Sequence, residues 1–190
     1  MNIFYLDHDP AKAASYMVDK HIVKMVLETA QILSAVSDRY GIEAPYRASH
    51  RNHPSVRWAG DSLEQWWWLV QHGRALGNEF LARFKKNHKS VEIINWCAAQ
   101  GGRPDSKGFV QPPTCMPEVY KTPDAVESYR KYYMGDKVRF ASWRPPATIP
   151  NWFQCPSICC SVCQTTFPAI NDLIDAENDP ACICSRCKEK

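Results

Sequence analysis

Hydrophobic positions recur at helical spacing over most of the first 145 residues of the chain. The first such stretch predicts a helix that begins at Pro10, with Asp9 as its N-cap, and runs to about residue 38. A second long helix is predicted from Ser55 onward, and Gly73 or Gly77 could introduce a bend in it. Two long helices are thus the expected framework of this part of the chain.

Two shorter helical stretches follow, SVEIINWCAAQ at residues 90–100 and PDAVESYRKYYMGDKVRFASW at residues 123–143. The Pro- and Gly-rich stretch between them predicts a long loop, and Asp124 or Thr122 lies near the start of the last helix. The segment NIFYL near the N-terminus has a strand-like or extended pattern, and little β-pattern is found elsewhere. The fold class that we expect is therefore mostly α.

The placement of the cysteines sets the C-terminal part of the chain apart. Seven of the nine cysteines follow residue 150, where CSVC (160–163) and CSRC (184–187) form a C-x2-C-x20-C-x2-C pattern. Structural zinc takes four tetrahedral ligands, and each C-x2-C turn can present two thiolates to one ion. Without a predicted secretion signal, this clustering favours a metal over disulfides. The expected ligands of one structural Zn²⁺ are Cys160, Cys163, Cys184 and Cys187.

The domain organisation follows from these patterns. We expect a compact multi-helix domain over residues 1–145, a Pro-rich linker over residues 146–154 and a zinc-ribbon-like module over residues 155–190. The last module has too few residues to hold a hydrophobic core, so its zinc would be structural. The ligand set could shift by one, because three further cysteines lie nearby: Cys155, Cys159 and Cys182.

Composition and charge narrow the class of protein. No apolar run reaches the length of about 18 residues that a membrane span needs. The N-terminal MNIFYLDHDP lacks the basic and apolar regions of a secretory signal, so we expect a cytoplasmic protein without a membrane partner. The net charge is +3, but residues 1–150 hold 20 Lys and Arg against 15 Asp and Glu. This surplus permits DNA as a partner, and no protein partner is implied.

The first predicted helix carries a narrow polar stripe within an otherwise apolar circumference. At 100° per residue, His21, Lys24 and Glu28 fall within about 60° of arc, with Lys20 at its edge. A solvated face would be wider, so one interpretation is a helix that lines a cleft with a carboxylate whose pKa is tuned. The other is an exposed seam with Lys24 and Glu28 as an ordinary ion pair.

Two further segments combine basic side chains with features that suit DNA. YRASHRNHPSVRW (46–58) places several cations at a predicted helix start, which favours phosphate binding; a solvated loop is the alternative. YRKYYMGDKVRF (129–140) interleaves tyrosines that could stack on bases with cations that could follow phosphates; a core-facing tyrosine stripe is the alternative. The candidate DNA-binding residues are Lys20, His50, Arg51, His53, Arg57, Tyr129, Tyr132, Tyr133 and Lys137.

These motifs, in this order, resemble the pyrimidine-dimer DNA glycosylases, a small all-α family with a Glu-dependent active site. In VDKHIVKMVLETAQILSAV (18–36), Asp19, His21 and Glu28 correspond to the family's Asp-x-His and to the catalytic Glu seven residues later. YRASHRNHPSV looks like the family's Tyr-Arg-x-His-Pro segment, and YRKYYMGDK is similar to its aromatic and basic C-terminal stretch. The resemblance covers about residues 1–145 and leaves the zinc module outside.

The resemblance implies cleavage of the N-glycosidic bond of a damaged or modified pyrimidine, after the nucleotide is extruded or the DNA is kinked. Glu28 would stabilise the positive charge that develops on the deoxyribose, and His21 would orient it. The family's nucleophile is an N-terminal α-amine freed by Met removal, but Asn2 is larger than the residue that usually permits this. Water, the N-terminal amine and Lys24 therefore stay open as nucleophiles, and an amine could add abasic-site lyase activity.

Several functions remain as alternatives at this point. The substrate could be a UV dimer or a bulky modified phage base, the latter in antiphage defence, and a transferase acting on hypermodified phage bases is a related alternative. A zinc-ribbon adaptor that binds nucleic acid without catalysis would need the basic residues but not Glu28. A partner protein could use the tryptophan cluster at residues 66–68 as an interface, although such clusters are more often core.

Overall fold

The computed structural model of the chain describes residues 1–153 and the backbone of two short strands beyond them. Residues 1–153 are mostly helical, as predicted. The α-helices are α1 (Pro10–Ser15), α2 (Asp19–Arg39), α3 (Pro54–Ala59), α4 (Leu63–Phe84), α5 (Ser90–Gln100) and α6 (Ala125–Tyr132). A 3-10 turn at Glu118–Tyr120 precedes α6, and a π turn at Tyr133–Lys137 and a 3-10 turn at Val138–Phe140 continue it. The strands are β1 (Ser157–Cys159) and β2 (Thr166–Pro168).

The first predicted helix is interrupted between α1 and α2, which corrects the prediction of one continuous helix. Its start is as expected, since the Asp9 side chain accepts hydrogen bonds from two backbone N–H groups and Pro10 occupies the first position. At the break, Arg83 of α4 donates hydrogen bonds to the carbonyls of Ser15 at 2.9 Å and Met17 at 2.7 Å. A side chain from another helix thus satisfies the carbonyls that the interruption exposes.

The second predicted helix is also divided, because α3 ends at Ala59 and α4 begins at Leu63. One helix runs through Gly73 and Gly77, so neither glycine interrupts it. Both permit close packing instead. A Cβ atom on Gly73 would lie 2.7 Å from Thr29 Cγ2 of α2, and one on Gly77 would lie 2.5 Å from Val91 Cγ2 of α5. The two glycines therefore let α4 approach its neighbours closely.

Helix α2 lies at the centre of the fold, packed against α3, α4 and α5. The N-terminal segment contributes to the core as buried extended chain rather than as a strand: residues 3–6 are at most 6% exposed. Trp66 is fully buried and Trp68 is 7% exposed, so the tryptophan cluster belongs mainly to the core and offers little interface surface. The position of α2 places its polar stripe beside the N-terminal segment.

The last predicted helix begins where expected and ends early. Asp124 caps α6 through hydrogen bonds from the N–H groups of Val126 at 2.7 Å and Glu127 at 3.4 Å. The chain after α6 continues as the π and 3-10 turns rather than as α-helix. Two residues assigned to the linker contact the helical body, since Phe153 is buried and the Trp152 ring lies 5.0 Å from the guanidinium of Arg130.

Strands β1 and β2 pair antiparallel, with Ile158 opposite Phe167. They are a small β element that the sequence pattern did not indicate. The four predicted zinc ligands, Cys160, Cys163, Cys184 and Cys187, lie outside the described residues, so the zinc site stays a prediction. Within the part of the chain that the structure describes, no helix is long and apolar enough to cross a membrane.

Candidate active site

Glu28 lies where α2 meets the N-terminal segment, and its carboxylate contacts two nitrogen atoms. Its Oε2 accepts a hydrogen bond of 2.8 Å from the backbone N–H of Asn2. Its Oε1 lies 3.2 Å from the Nζ of Lys24, one turn earlier on α2. The Glu28 side chain is only 10% exposed, whereas that of Lys24 is 68% exposed. The polar stripe therefore contains a largely buried carboxylate in contact with the chain's second backbone nitrogen.

His21 is buried on the same stripe but makes its hydrogen bond elsewhere. Its Nδ1 is 2.5 Å from the hydroxyl of Tyr133, and the ring of Phe4 stacks on it with centroids 4.1 Å apart. Burial, with smaller effects from the charges of Lys137 and Lys24, lowers the pKa of His21 to about 3. His21 is consequently neutral at pH 7, and it can orient neighbouring groups but cannot supply a positive charge to Glu28.

Phe4 reaches His21 through an unusual backbone conformation. Its φ is +53°, in the left-handed region that residues other than glycine seldom occupy. Its N–H points toward the Oδ1 of Asn2 at 3.4 Å. Strained backbone of this kind clusters at functional sites. Here the turn brings the Phe4 ring onto His21 while Asn2 stays on Glu28.

The start of α3 lies close enough to the same carboxylate for the charges of His53 and Glu28 to interact. The Nδ1 of His53 caps α3 by accepting a hydrogen bond of 3.2 Å from the N–H of Ser55. The pKa of His53 is lowered by burial, by the N-terminal amine and by His50, while Glu28 acts in the opposite direction. These charges are close enough to be felt at the imidazole. The fold thus brings one part of the predicted phosphate segment to Glu28.

Arg51 and Arg57 of that segment differ in whether they already pair with a carboxylate. Arg51 forms an ion pair of 3.0 Å with Asp38, although its side chain is 66% exposed. Arg57 is exposed on α3 and has no carboxylate partner within the described residues. Both line a surface groove together with Arg39 and the carboxylates Asp38 and Asp61. Of the two, Arg57 is the better placed to accept a phosphate without first losing an internal partner.

The tyrosines of the C-terminal motif divide into buried and accessible ones. Tyr129 and Tyr133 are fully buried and their hydroxyls bond within the protein, so neither ring is open to a base in this structure. Tyr132 is half-buried, and the Nζ of Lys137 lies 4.3 Å from its ring centroid. Nearby, the Nζ of Lys20 lies 5.1 Å from the ring of Phe140. We call this set the tyrosine–lysine patch: Lys20, Tyr132, Lys137 and Phe140. The Lys137 side chain is 14% exposed and pairs with Asp136 at 2.7 Å.

Sequence reasoning located the carboxylate but missed the groups that surround it. In the sequence, Asn2 stood out only as an obstacle to Met removal, yet its backbone N–H donates to Glu28. Phe4 and Phe140 were not among the candidate site residues, although Phe140 ends the motif at residues 129–140. Within residues 1–153, no group of three or more His, Cys, Asp or Glu side chains is arranged to hold a metal ion. The chemistry available here is that of a buried carboxylate, a main-chain nitrogen and a neutral imidazole.

The comparison with known families matches the part of the chain that contains Glu28. A family model described as pyrimidine dimer DNA glycosylase matches residues 1–92, slightly less than half of the chain. The matched segment includes Asn2, His21, Glu28 and the α3 segment, and it ends before the tyrosines of the C-terminal motif. No curated protein and no solved structure matches the chain. The predicted resemblance to the pyrimidine dimer DNA glycosylase family is therefore confirmed over residues 1–92.

Proposed function

We propose that the protein is a DNA glycosylase that cleaves the N-glycosidic bond of a damaged or modified pyrimidine. The observation that carries the proposal is the buried carboxylate of Glu28 with the Asn2 nitrogen at 2.8 Å, inside the segment that matches the glycosylase family. A carboxylate at this position can stabilise the positive charge on the deoxyribose and accept a proton from the nucleophile. The C1′–N bond breaks, and its electron pair leaves with the base.

Two nitrogens compete with water as the nucleophile, and their environments differ. While Met1 is attached, the Asn2 nitrogen is an amide and cannot attack C1′. Removal of Met1 would convert it into an α-amine in contact with Glu28. Lys24 also touches Glu28, but its side chain is 68% exposed, so the burial that would activate a lysine is missing. We propose the Asn2 amine as nucleophile, with a Schiff base to C1′ and strand cleavage as its consequence.

The surrounding surface supports DNA as the partner. The tyrosine–lysine patch adjoins the Phe4 and His21 rings, since the centroids of Phe4 and Tyr132 are 6.3 Å apart. In this proposal Tyr132 stacks on a base, while Lys20, Lys137 and Arg57 contact phosphates. His50, Arg51 and His53 would hold the DNA strand that passes the start of α3. Tyr129 and Tyr133 would support the site through their buried hydrogen bonds to Asn2 and His21 rather than stack on a base.

The first experiment identifies the substrate. We expect the purified protein to release a damaged or modified base, or to cut one glycosidic bond of a UV dimer, with borohydride trapping the enzyme on the DNA. The assay compares UV-irradiated DNA, phage DNA with bulky modified pyrimidines, and unmodified DNA of the same sequence, and mass spectrometry reads the products. Activity on phage DNA alone would favour antiphage defence over repair. Absence of both base release and glycosidic-bond cleavage on every substrate would contradict the proposed function.

The nucleophile is tested in the same experiment. Digestion of the trapped adduct should place the DNA on the N-terminal peptide that begins with Asn2, and the intact mass should lack Met1. An adduct on the peptide that contains Lys24 would overturn the assignment to Asn2. Base release without any adduct would indicate water as the nucleophile.

We also propose one structural zinc ion on Cys160, Cys163, Cys184 and Cys187. The strands β1 and β2 flank the first Cys pair in sequence, which fits a zinc-binding turn between paired strands. We expect one zinc per chain by elemental analysis. Cys184→Ser should lose the zinc, whereas Cys115→Ser, a cysteine outside the module, should keep it. Full zinc content in Cys184→Ser together with its loss in Cys182→Ser would shift the ligand set.

A further inference from the structure

The side chain of Asn2 is held at both of its polar atoms. Its Oδ1 accepts hydrogen bonds from the hydroxyl of Tyr129 at 2.7 Å and from the N–H of Ile3 at 2.8 Å. Its Nδ2 donates to the carbonyl of Cys115 at 2.9 Å. Both α6, through Tyr129, and the loop that contains Cys115 lie far from Asn2 in sequence, and both form hydrogen bonds to its side chain.

Tyr129 links these two elements. Its hydroxyl lies 2.7 Å from Asn2 Oδ1 and 2.8 Å from the carbonyl of Pro113, and it accepts a hydrogen bond of 3.3 Å from the N–H of Cys115. The ring is fully buried, and burial raises the pKa of the phenol, so the hydroxyl keeps its proton. One buried hydroxyl therefore joins α6, the loop at residues 113–115 and Asn2.

We infer that this network, the Asn2 clamp (Asn2, Pro113, Cys115 and Tyr129), positions the nitrogen of residue 2 against Glu28 for attack on the sugar. The inference rests on the proposed function and deepens it: Tyr129 and the Asn2 side chain are positioning residues for the nucleophile. None of the clamp's hydrogen bonds uses an atom of Met1. The clamp therefore stays intact when Met1 is removed and holds the new amine at Glu28.

The clamp also accounts for asparagine at this position. An amide is both a donor and an acceptor, and the clamp uses the donor on Cys115 and the acceptor on Tyr129. An aspartate would place a carboxylate oxygen against the Cys115 carbonyl. Both are acceptors, so no hydrogen bond could form there. A serine carries one hydroxyl on a shorter side chain and could not reach both partners. Only an amide of this length meets both demands.

Tyr129→Phe tests the clamp, because it removes the hydroxyl and leaves the ring in place. We expect the yield of borohydride-trapped adduct to fall by about 10- to 100-fold in single turnover, since a small misplacement of a nucleophile is costly. DNA affinity should be unchanged. The ratio of free abasic sites to trapped adduct should rise, because water competes better with a displaced amine. Loss of fold stability alone would lower the amount of active enzyme but would not change that ratio.

Tyr5→Phe is the matched control. Tyr5 is also buried, and its hydroxyl bonds to His8 at 3.2 Å, outside the clamp. Tyr5→Phe should keep the wild-type ratio of free abasic sites to trapped adduct. Asn2→Asp is the second variant, with its N-terminus checked by intact mass, and it should shift the ratio in the same direction as Tyr129→Phe. Wild-type ratios in both clamp variants would overturn the clamp while base release still supports the glycosylase. Absence of any glycosidic-bond cleavage by the wild-type protein would overturn the proposed function itself.

Discussion

Glu28→Gln is expected to abolish base release while leaving DNA binding intact. Glutamine keeps the shape of the side chain and can still accept the hydrogen bond from the Asn2 nitrogen, which is 2.8 Å from the carboxylate in the native protein. It removes the negative charge that would stabilise the developing cation and accept the proton of the nucleophile. Loss of a positioned acid–base group typically costs about 100- to 10,000-fold in rate. Single-turnover assays on the preferred substrate measure this loss.

Glu127→Gln is the matched control for this substitution. Glu127 also pairs with a lysine one turn away, Lys131 at 2.9 Å, but both side chains are about half exposed on α6. It should retain wild-type base release. Fluorescence anisotropy with labelled DNA should give the same affinity for wild type, Glu28→Gln and Glu127→Gln. Full activity in Glu28→Gln would contradict the catalytic role of Glu28 and would favour a binding protein that needs only its basic residues.

Arg83→Met is expected to cause a large loss of stability in the helical domain. The Arg83 side chain is completely buried and pairs with Asp19 at 3.2 Å and Glu79 at 2.7 Å. It also donates to the carbonyls of Ser15 and Met17 at the break between α1 and α2. Methionine would leave Glu79 and the two carbonyls without this donor, while Asp19 would keep its hydrogen bonds from the Ser142 hydroxyl and the Arg144 N–H. Removal of one partner from a buried ion pair typically costs about 3–5 kcal/mol of unfolding free energy.

Arg74→Met on the same helix provides the comparison. Arg74 is exposed and donates to the side chain of Asn95 at 2.8 Å. Its replacement should change the unfolding free energy by no more than about 0.5 kcal/mol. Urea denaturation followed by far-ultraviolet circular dichroism measures both variants. Equal unfolding free energies for Arg83→Met and Arg74→Met would show that the junction between α1 and α2 does not depend on Arg83.

The parts of the fold that were predicted correctly depend on neighbours in sequence. The helix expected at residues 90–100 is α5, and the N-caps at Asp9 and Asp124 are present because a cap bonds N–H groups only two or three residues away. The breaks near residue 17 and Gly60 were missed. At the first of them the satisfying donor is Arg83, 66 residues from Met17, and no local pattern reveals such a partner.

The candidate site was likewise predicted only in the part that depends on neighbours in sequence. Helical periodicity placed His21, Lys24 and Glu28 on one stripe, because that geometry is a property of the helix alone. It could not assign their partners. Tyr133 reaches His21 across 112 residues, and Asn2 reaches Glu28 across 26. The resemblance implied that His21 orients Glu28, whereas burial and the Tyr133 hydroxyl give this imidazole a separate environment.

The amino-acid sequence by itself determined the helical class, the polar stripe and the family resemblance, since each depends on residue type and spacing along the chain. The tertiary structure decided which charges are buried, which tyrosines are accessible and which nitrogen meets the carboxylate. Burial and hydrogen bonding depend on distances between segments far apart in sequence. For that reason Asn2, which the sequence presented only as an obstacle to Met removal, became the centre of the candidate site once α2, α6 and the loop at residues 113–115 were packed around it.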